Sequence, residues 1–424
     1  MTSQPPISGV LGPVQLARAW RQGRIVPLAA PVTQEQAALA AAIGPAGTGA
    51  LERRWGPGVV LGSGGSRAGG GAGRRWCLLP LDRLQASAAA TGLWLEGLGI
   101  DPAACLHLNP LPLHHVSGLL PWLRARPWGG EHRRLEPAWM RRPALLAQEA
   151  PLPRHRPVLL SLVPTQLQRL LALPEGEDWL RRLALIWVGG APLPAELAER
   201  ARAAGLPLAP CYGATETAAM VTALPPQRFL AGVAGCGQPL PGVELRLAAG
   251  GAVELRCARL TPGWLEAGRL LPLPLAPDGW WRSGDAGRLG PQGVELLGRL
   301  DGAIHSGGET VFPEQLEQRL TAAAAGLPLQ AVLLLAAEDR EWGQRLVALV
   351  RPRPAADGAA LLAHLRQLAA TWAPAERPRR WLLCPALAPS PLGNWQRGRW
   401  QRWLQALEAG HNPVDSGADE HLQR

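Results

Sequence analysis

The chain has 424 residues, with 43 basic residues against 33 acidic ones and a formal net charge of +10. Every basic residue is arginine and no run of them reaches five, which argues against a nucleic-acid-binding stripe and fits anionic small substrates as well. The length allows two or three domains. No apolar stretch is long enough to span a bilayer, and MTSQPPISGVLGP lacks the basic-then-apolar pattern of a secretory signal. The six cysteines show no zinc-ligand spacing, so reduced thiols in a cytoplasmic protein are expected. The 18 tryptophans are scattered and read as core and anchoring residues.

In chain order, the first feature is GSGGSRAGGGAGRR at 62–75, a loop whose backbone N–H groups can wrap a polyphosphate and whose arginines can neutralise it. LPLHHVSGL (111–119) sets two histidines before a small-residue turn. Residues 156–210 alternate apolar strand and amphipathic helix: RPVLLSLV, PTQLQRLLAL, LALIWV, LPAELAERARAAG and LPLAP. Short links between such elements predict a parallel sheet, whose ligands lie beyond the carboxyl ends of its strands. CYGATE (211–216) follows LPLAP at such an end and contains Tyr212, the only tyrosine. Read as a turn, it offers an aromatic face for a base, Gly213 for the bend, the Thr215 hydroxyl for a phosphate and the Glu216 carboxylate for Mg²⁺.

From about 235 the texture becomes β-rich. VELRL and AVELRC read as a hairpin, and Asp285 in WWRSGDAGRLG reads as a tight-turn carboxylate suited to ribose hydroxyls. GRLDGAIHSGGETVFPEQLE (298–317) joins Arg299 and Asp301 to a Gly-Gly-Glu loop and a Pro-initiated helix. A compact α+β unit follows. The expected division is a domain at 1–298, a hinge at 299–302, a small domain at 303–407 and a flexible tail at 408–424.

Together, in this order, YGATE, GDAG and GRLDGAIHSGGE resemble the adenylate-forming superfamily of acyl- and aryl-CoA synthetases, luciferases and peptide-synthetase adenylation domains. LPLHHVSGL, SLVPTQLQRLL, WVGGAPLP, SGGETVFPEQLE and WQRGRWQRW resemble its o-succinylbenzoate–CoA ligase branch. The resemblance implies an α/β fold with a large N-terminal domain, shortened at its start, and a small mobile C-terminal α+β lid. It implies ATP, Mg²⁺, CoA and a small carboxylic acid as ligands, no nucleic acid, and a role in menaquinone or phylloquinone synthesis. Assembly as a homodimer stays open.

By the same resemblance Ser63, Gly64, Gly65 and Ser66 hold the β- and γ-phosphates, with Arg74 or Arg75 near the usual lysine. Tyr212 stacks on adenine, Thr215 bonds the α-phosphate and Glu216 ligates Mg²⁺. Asp285 holds the ribose, Arg299 bonds ribose or phosphate, and Asp301 is the hinge. Ser306, Gly307, Gly308 and Glu309 face the CoA channel, and His115 lines the acyl pocket. For a second substrate carboxylate, Arg169, Thr165 and His115 remain alternatives, with Arg169 also readable as a solvated helix residue.

One position departs from the pattern. The C-terminal motif ends in lysine in the superfamily, and here APSPLGNWQRGRW puts Asn394 there. An amide donates a hydrogen bond but carries no charge. Arg397 or Arg399 is the candidate replacement, a guanidinium being no point-charge equivalent of an ammonium. Two alternatives therefore accompany the expected ligase: a ligase for another aryl or acyl acid, and a nucleotide-binding pseudoenzyme.

Overall fold

The computed structural model describes residues 12–63, 75–389 and 395–409. They fall into two compact units, one of 12–63, 75–283 and 287–296, the other of 284–286, 297–389 and 395–409. Gly64, Gly65, Ser66, Arg74, Asn394 and all but the first two residues of the expected 408–424 tail lie outside the described residues.

The first unit is built on a seven-stranded sheet. Leu106–Asn109, Glu131–Arg134, Val158–Leu162, Leu185–Val188 and the start of Leu208–Ala214 run parallel, as the alternation in 156–210 predicts. Ala219–Ala223 and Gln238–Pro239 extend it antiparallel. Both faces are covered, so successive residues enter opposite cores. Leu160, Ile186 and Leu208 join one cluster. Leu159, Leu185, Trp187 and Ala209 join the other. Pro164 opens the Pro164–Leu170 helix, where its missing N–H costs nothing. Gly205, at φ +66°, closes the turn after the Ala195–Ala203 helix. The Pro174–Arg181 helix is not legible in the sequence: PEGEDWLR carries few apolar residues, and only Gly176, Trp179 and Leu180 are buried.

A five-stranded sheet lies in the same unit. Gly58–Gly62 pairs with Trp76–Pro80 across the glycine-rich segment, and Trp76–Pro80 pairs with Gly263–Glu266. The hairpin expected at VELRL and AVELRC is present as Val243–Leu247 and Ala252–Cys257.

Two sequence expectations need correction. CYGATE is not one turn, because the Leu208–Ala214 strand runs on through Cys211, Tyr212, Gly213 and Ala214, and only Thr215–Thr217 forms a 3₁₀ turn. Asp285 likewise sits within the ten-residue strand Trp281–Gly290, where Gly284 adopts φ +82°. In both cases glycine bends a strand that keeps its ladder, while composition alone reads as a turn.

The second unit sets Leu329–Asp339 against Gly343–Pro352, with Arg380–Leu383 parallel to the latter and the Ile304–Ser306/Glu309–Val311 hairpin beside it. Alternation again feeds two cores. Val332 and Leu334 meet the cluster holding Leu316 and Leu365 from the Pro313–Ala323 and Gly358–Ala369 helices. Leu333 and Leu335 meet Trp400 and Leu404 of the Arg397–Glu408 helix.

Candidate active site

The strand Leu208–Ala214 outlasts its parallel neighbour. Its last parallel partner pairs Pro210 with Val188, after which Cys211 to Ala214 pair antiparallel with 219–223. A Cβ on Gly213 would come within 2.2 Å of the Ala219 carbonyl oxygen, so glycine is required for the two strands to meet here. The return turn places two non-glycine residues in the left-handed region, Ala218 at φ 51° and Ala219 at φ 92°. The Thr217 hydroxyl braces it, accepting from the Ala214 N–H at 2.9 Å and lying 2.6 Å from the Ala219 carbonyl. Strain of this kind is held by surrounding structure and concentrates at functional sites.

That turn carries Thr215 and Glu216, both largely buried. The Trp264 indole N–H donates to Glu216 Oε1 at 3.0 Å, and the Thr261 N–H donates to the Glu216 carbonyl at 2.8 Å. The Arg75 guanidinium stacks on the Trp264 ring, 4.6 Å from its centroid. Arg75 is the first described residue after the glycine-rich segment, and its carbonyl accepts from the N–H of Ser63, the last residue before it, at 2.7 Å. The roots of the predicted phosphate loop therefore close on the same cluster as the acidic residue. Ser63 Oγ is buried and has no partner. The buried thiol of Cys77, next along the strand, is pushed well above its usual pKa, by burial first and then by the Glu216 carboxylate. That thiol stays protonated. A carboxylate and a hydroxyl suit Mg²⁺, which takes few protein oxygens and completes its shell with phosphates and water.

Tyr212 is only 6% exposed and packs in the core cluster with Trp187, Met220 and Leu240.

The predicted acyl-pocket segment is held by a residue that the sequence did not single out. Buried Asn109 donates to the Gly118 carbonyl at 2.7 Å and accepts from the Leu111 N–H at 3.0 Å, tying the strand end to the Val116–Trp128 helix. His115 occupies the N-cap position of that helix without a side-chain capping bond, its ring centroid 4.6 Å from that of His114. A Cβ on Gly118 would meet the Pro112 carbonyl at 2.1 Å, so LPLHHVSG needs its glycine for this close approach.

On the buried side of the same helix lies Arg124, 3% exposed, with Nε unpartnered. Its guanidinium carbon is 5.4 Å from the Trp187 ring. Burial and the nearby Arg259 push its pKa down to about 9. His107, alternating with Leu106 and Leu108, turns to the same face between Trp128 and Trp187 and is held neutral, its pKa pushed down to about 3 by burial and then by Arg124. Among the described residues Arg124 has no carboxylate partner. Arg169 is exposed, while Thr165 has a buried hydroxyl without a partner. The missed signal was an arginine placed among apolar residues on the face of LLPWLRARPW that also carries Leu120.

In the second unit Arg299 grips Asp301 with two hydrogen bonds, 3.0 and 2.9 Å, and donates to Asp285 at 3.2 Å. These bonds, that to Asp301 foremost, raise its pKa. The geometry thus joins Asp285, Arg299 and Asp301 in one network. Ser306 is fully buried with Oγ unpartnered, Gly307 and Gly308 form the hairpin turn at φ 61° and 86°, and Glu309 is exposed. Arg397 is not free to replace a lysine. It donates to Glu317 at 2.7 Å, to the Leu334 carbonyl at 2.9 Å, and pairs with Glu314 at 3.1 Å.

The buried Thr215–Glu216 turn thus lies beside the ends of the glycine-rich segment, at the end of a parallel sheet. Residues 85–254 match the AMP-binding enzyme family. The chain is similar to 2-succinylbenzoate–CoA ligases. It is 34% identical over 244 residues to that of Salmonella typhimurium, covering 58% of this chain and 50% of the relative. The chain thus spans about half the length of this curated relative. A structure of wild-type Escherichia coli MenE with a bound m-phenylether-linked analogue of OSB-AMS matches at a TM-score of 0.57 and 28% identity, over 82% of this chain and 69% of that one. Bacillus subtilis o-succinylbenzoate CoA synthetase (MenE), in complex with the acyl-adenylate intermediate OSB-AMP, shares the fold at a TM-score of 0.67 and 21% identity, over 81% of this chain and 68% of that one.

Proposed function

We propose that this protein is an ATP-dependent acid–CoA ligase of the cytoplasm, converting o-succinylbenzoate to o-succinylbenzoyl-CoA. The observation that carries the reading is the Glu216–Trp264–Arg75 cluster at the roots of the glycine-rich loop. Arg124 supports the choice of acid: a buried guanidinium over the Trp187 ring, with no carboxylate partner among the described residues, suits an aromatic ring bearing a carboxylate.

In the first half-reaction the acid's other carboxylate attacks the α-phosphorus of ATP and pyrophosphate leaves. In the second the CoA thiol displaces AMP. The protein's part is positioning and charge screening. Ser63 and the loop residues Gly64, Gly65 and Ser66 cradle the terminal phosphates, with Arg74 or Arg75 beside them. Thr215 donates to the α-phosphate, Glu216 would hold Mg²⁺, and Tyr212 meets adenine. Asp285 and Arg299 bind ribose, Asp301 is the hinge between a domain of 1–298 and a lid of 303–407, and the 306–309 hairpin meets CoA. His115 borders the acid.

Purified protein with ATP, Mg²⁺, CoA and o-succinylbenzoate is expected to release pyrophosphate and form the thioester. No pyrophosphate with this acid, or equal rates with benzoate, overturns the assignment. Glu216→Gln keeps the shape but removes the charge, and is expected to lower pyrophosphate release about 100-fold or more. Raising Mg²⁺ should recover little of it.

A second reading, nucleotide binding with weak adenylation, is favoured by the engagement of Arg397 with two glutamates while the lysine position holds Asn394. Asn394→Lys is expected to raise pyrophosphate exchange about tenfold or more under this reading. An unchanged rate points to full activity without the lysine.

A further inference from the structure

One indole in the first unit meets two opposite charges at two different parts of its ring. Trp264 lies on the Gly263–Glu266 strand, where its backbone pairs with Cys77 of Trp76–Pro80. Arg75 stands two residues before Cys77, which makes it the diagonal neighbour of Trp264 across the ladder. Its guanidinium covers the face of the indole, 4.6 Å from the ring centroid. The N–H at the ring's edge donates to Glu216 Oε1 at 3.0 Å. The Glu216 backbone is tied to the same stretch of chain, its carbonyl accepting from the Thr261 N–H at 2.8 Å. Among the described residues no ion pair joins Arg75 to Glu216.

An aromatic ring is negative over its face and positive at its edge, so each charge sits where the ring attracts it. A direct salt bridge would satisfy the two groups with each other and leave neither for a ligand. Held apart by the indole, the carboxylate is left for a cation and the guanidinium for a phosphate. For packing alone an indole N–H needs only a backbone carbonyl. Here its acceptor is a carboxylate that is 8% exposed. Ser63, whose N–H meets the Arg75 carbonyl at 2.7 Å, adds a buried hydroxyl without a partner at the other root of the loop.

We infer that Trp264 is a positioning residue for the metal–nucleotide pair: its edge fixes the Glu216 carboxylate for Mg²⁺, and its face keeps Arg75 off that carboxylate and available to the phosphates. The inference rests on the proposed ligase reading, in which Glu216 holds Mg²⁺, and adds to it a residue that acts through two others. A hydrogen-bond partner behind a metal ligand sets that ligand's orientation, and its loss lowers metal affinity.

The test measures ATP binding to the full chain by titration calorimetry across a range of Mg²⁺ concentrations, and again in EDTA. Trp264→Phe keeps an aromatic face for Arg75 and loses the N–H. It is expected to raise the Mg²⁺ concentration that gives half of the metal's effect on ATP binding by roughly 10- to 100-fold, with metal-free binding nearly unchanged. Trp264→Leu loses the face as well, lets Arg75 pair with Glu216, and is expected to weaken ATP binding both with and without the metal. Trp264→benzothienylalanine, which puts sulfur in place of the N–H in a ring of the same size, repeats the phenylalanine measurement if that variant does not fold. An unchanged Mg²⁺ requirement in the variants lacking the N–H overturns the inference and leaves the ligase reading intact. So does an equal loss with and without Mg²⁺ in Trp264→Phe, which makes Trp264 a packing residue. Wild-type ATP binding that does not respond to Mg²⁺ overturns the assignment of the ion to Glu216 and the inference together.

Discussion

Arg124→Met is expected to lower kcat/KM for o-succinylbenzoate by roughly 30- to 3000-fold, equivalent to about 2–5 kcal/mol for truncating one partner of a buried charge pair. The same substitution is expected to stabilise the free protein. The wild-type guanidinium is buried without a carboxylate, and its pKa is pushed down to about 9, so the fold pays for holding the cation. The sign follows directly. A base with a depressed folded pKa weakens the fold below that value, and the penalty lifts as pH rises through about 9 toward the ordinary arginine range. Methionine removes the charge, keeps much of the stem volume, and should abolish that rise. Thermal melts across pH with no acid present, set beside steady-state kinetics, check both halves. A variant that loses activity and stability together would make Arg124 a structural residue.

Arg397→Met should act in the opposite sense, destabilising the second unit by about 3–5 kcal/mol. Arg397 neutralises Glu317, a buried carboxylate that also accepts from the Leu334 N–H at 2.7 Å, and pairs with Glu314. Without the cation, Glu317 keeps its desolvation cost and loses its compensation. Its pKa already stands at about 7, raised by burial against the pull of Arg397. In the variant the carboxyl can shed its charge by taking a proton, so the loss should be largest near about pH 8 and smaller near about pH 5. Denaturant unfolding at the two pH values measures this, and a loss independent of pH would put the cost in the lost Leu334 contact instead.

Most strands and helices of both units are legible because their signals are local. In 156–210 the apolar runs, the proline at a helix start and the glycine after a helix each mark their element within a few residues. The same locality misleads at CYGATE and GDAG. Glycine there permits one bent position inside a strand, and a strand's continuation depends on a partner such as Ala219–Ala223 that arrives later in the chain. The Pro174–Arg181 helix escaped notice because its stability comes from Trp179 and Leu180 docking into a core assembled by distant segments.

The motif residues Tyr212, Thr215, Glu216, Asp285 and Arg299 could be named from the sequence, since each sits in a short pattern with its own chemistry. Their company could not. That Trp264 holds Glu216, that Arg75 lies on Trp264, and that Arg397 is committed to Glu317 all follow from strands and helices tens of residues apart meeting through their buried faces. Arg124 shows the limit most clearly. In the chain it is one arginine among 43 basic residues, and only folding turns it inward, removes water and leaves its charge in want of an anion. Burial is a property of the whole packed unit, so the residues whose function comes from being buried are decided by tertiary structure, whereas those recognised by local pattern are written in the chain itself.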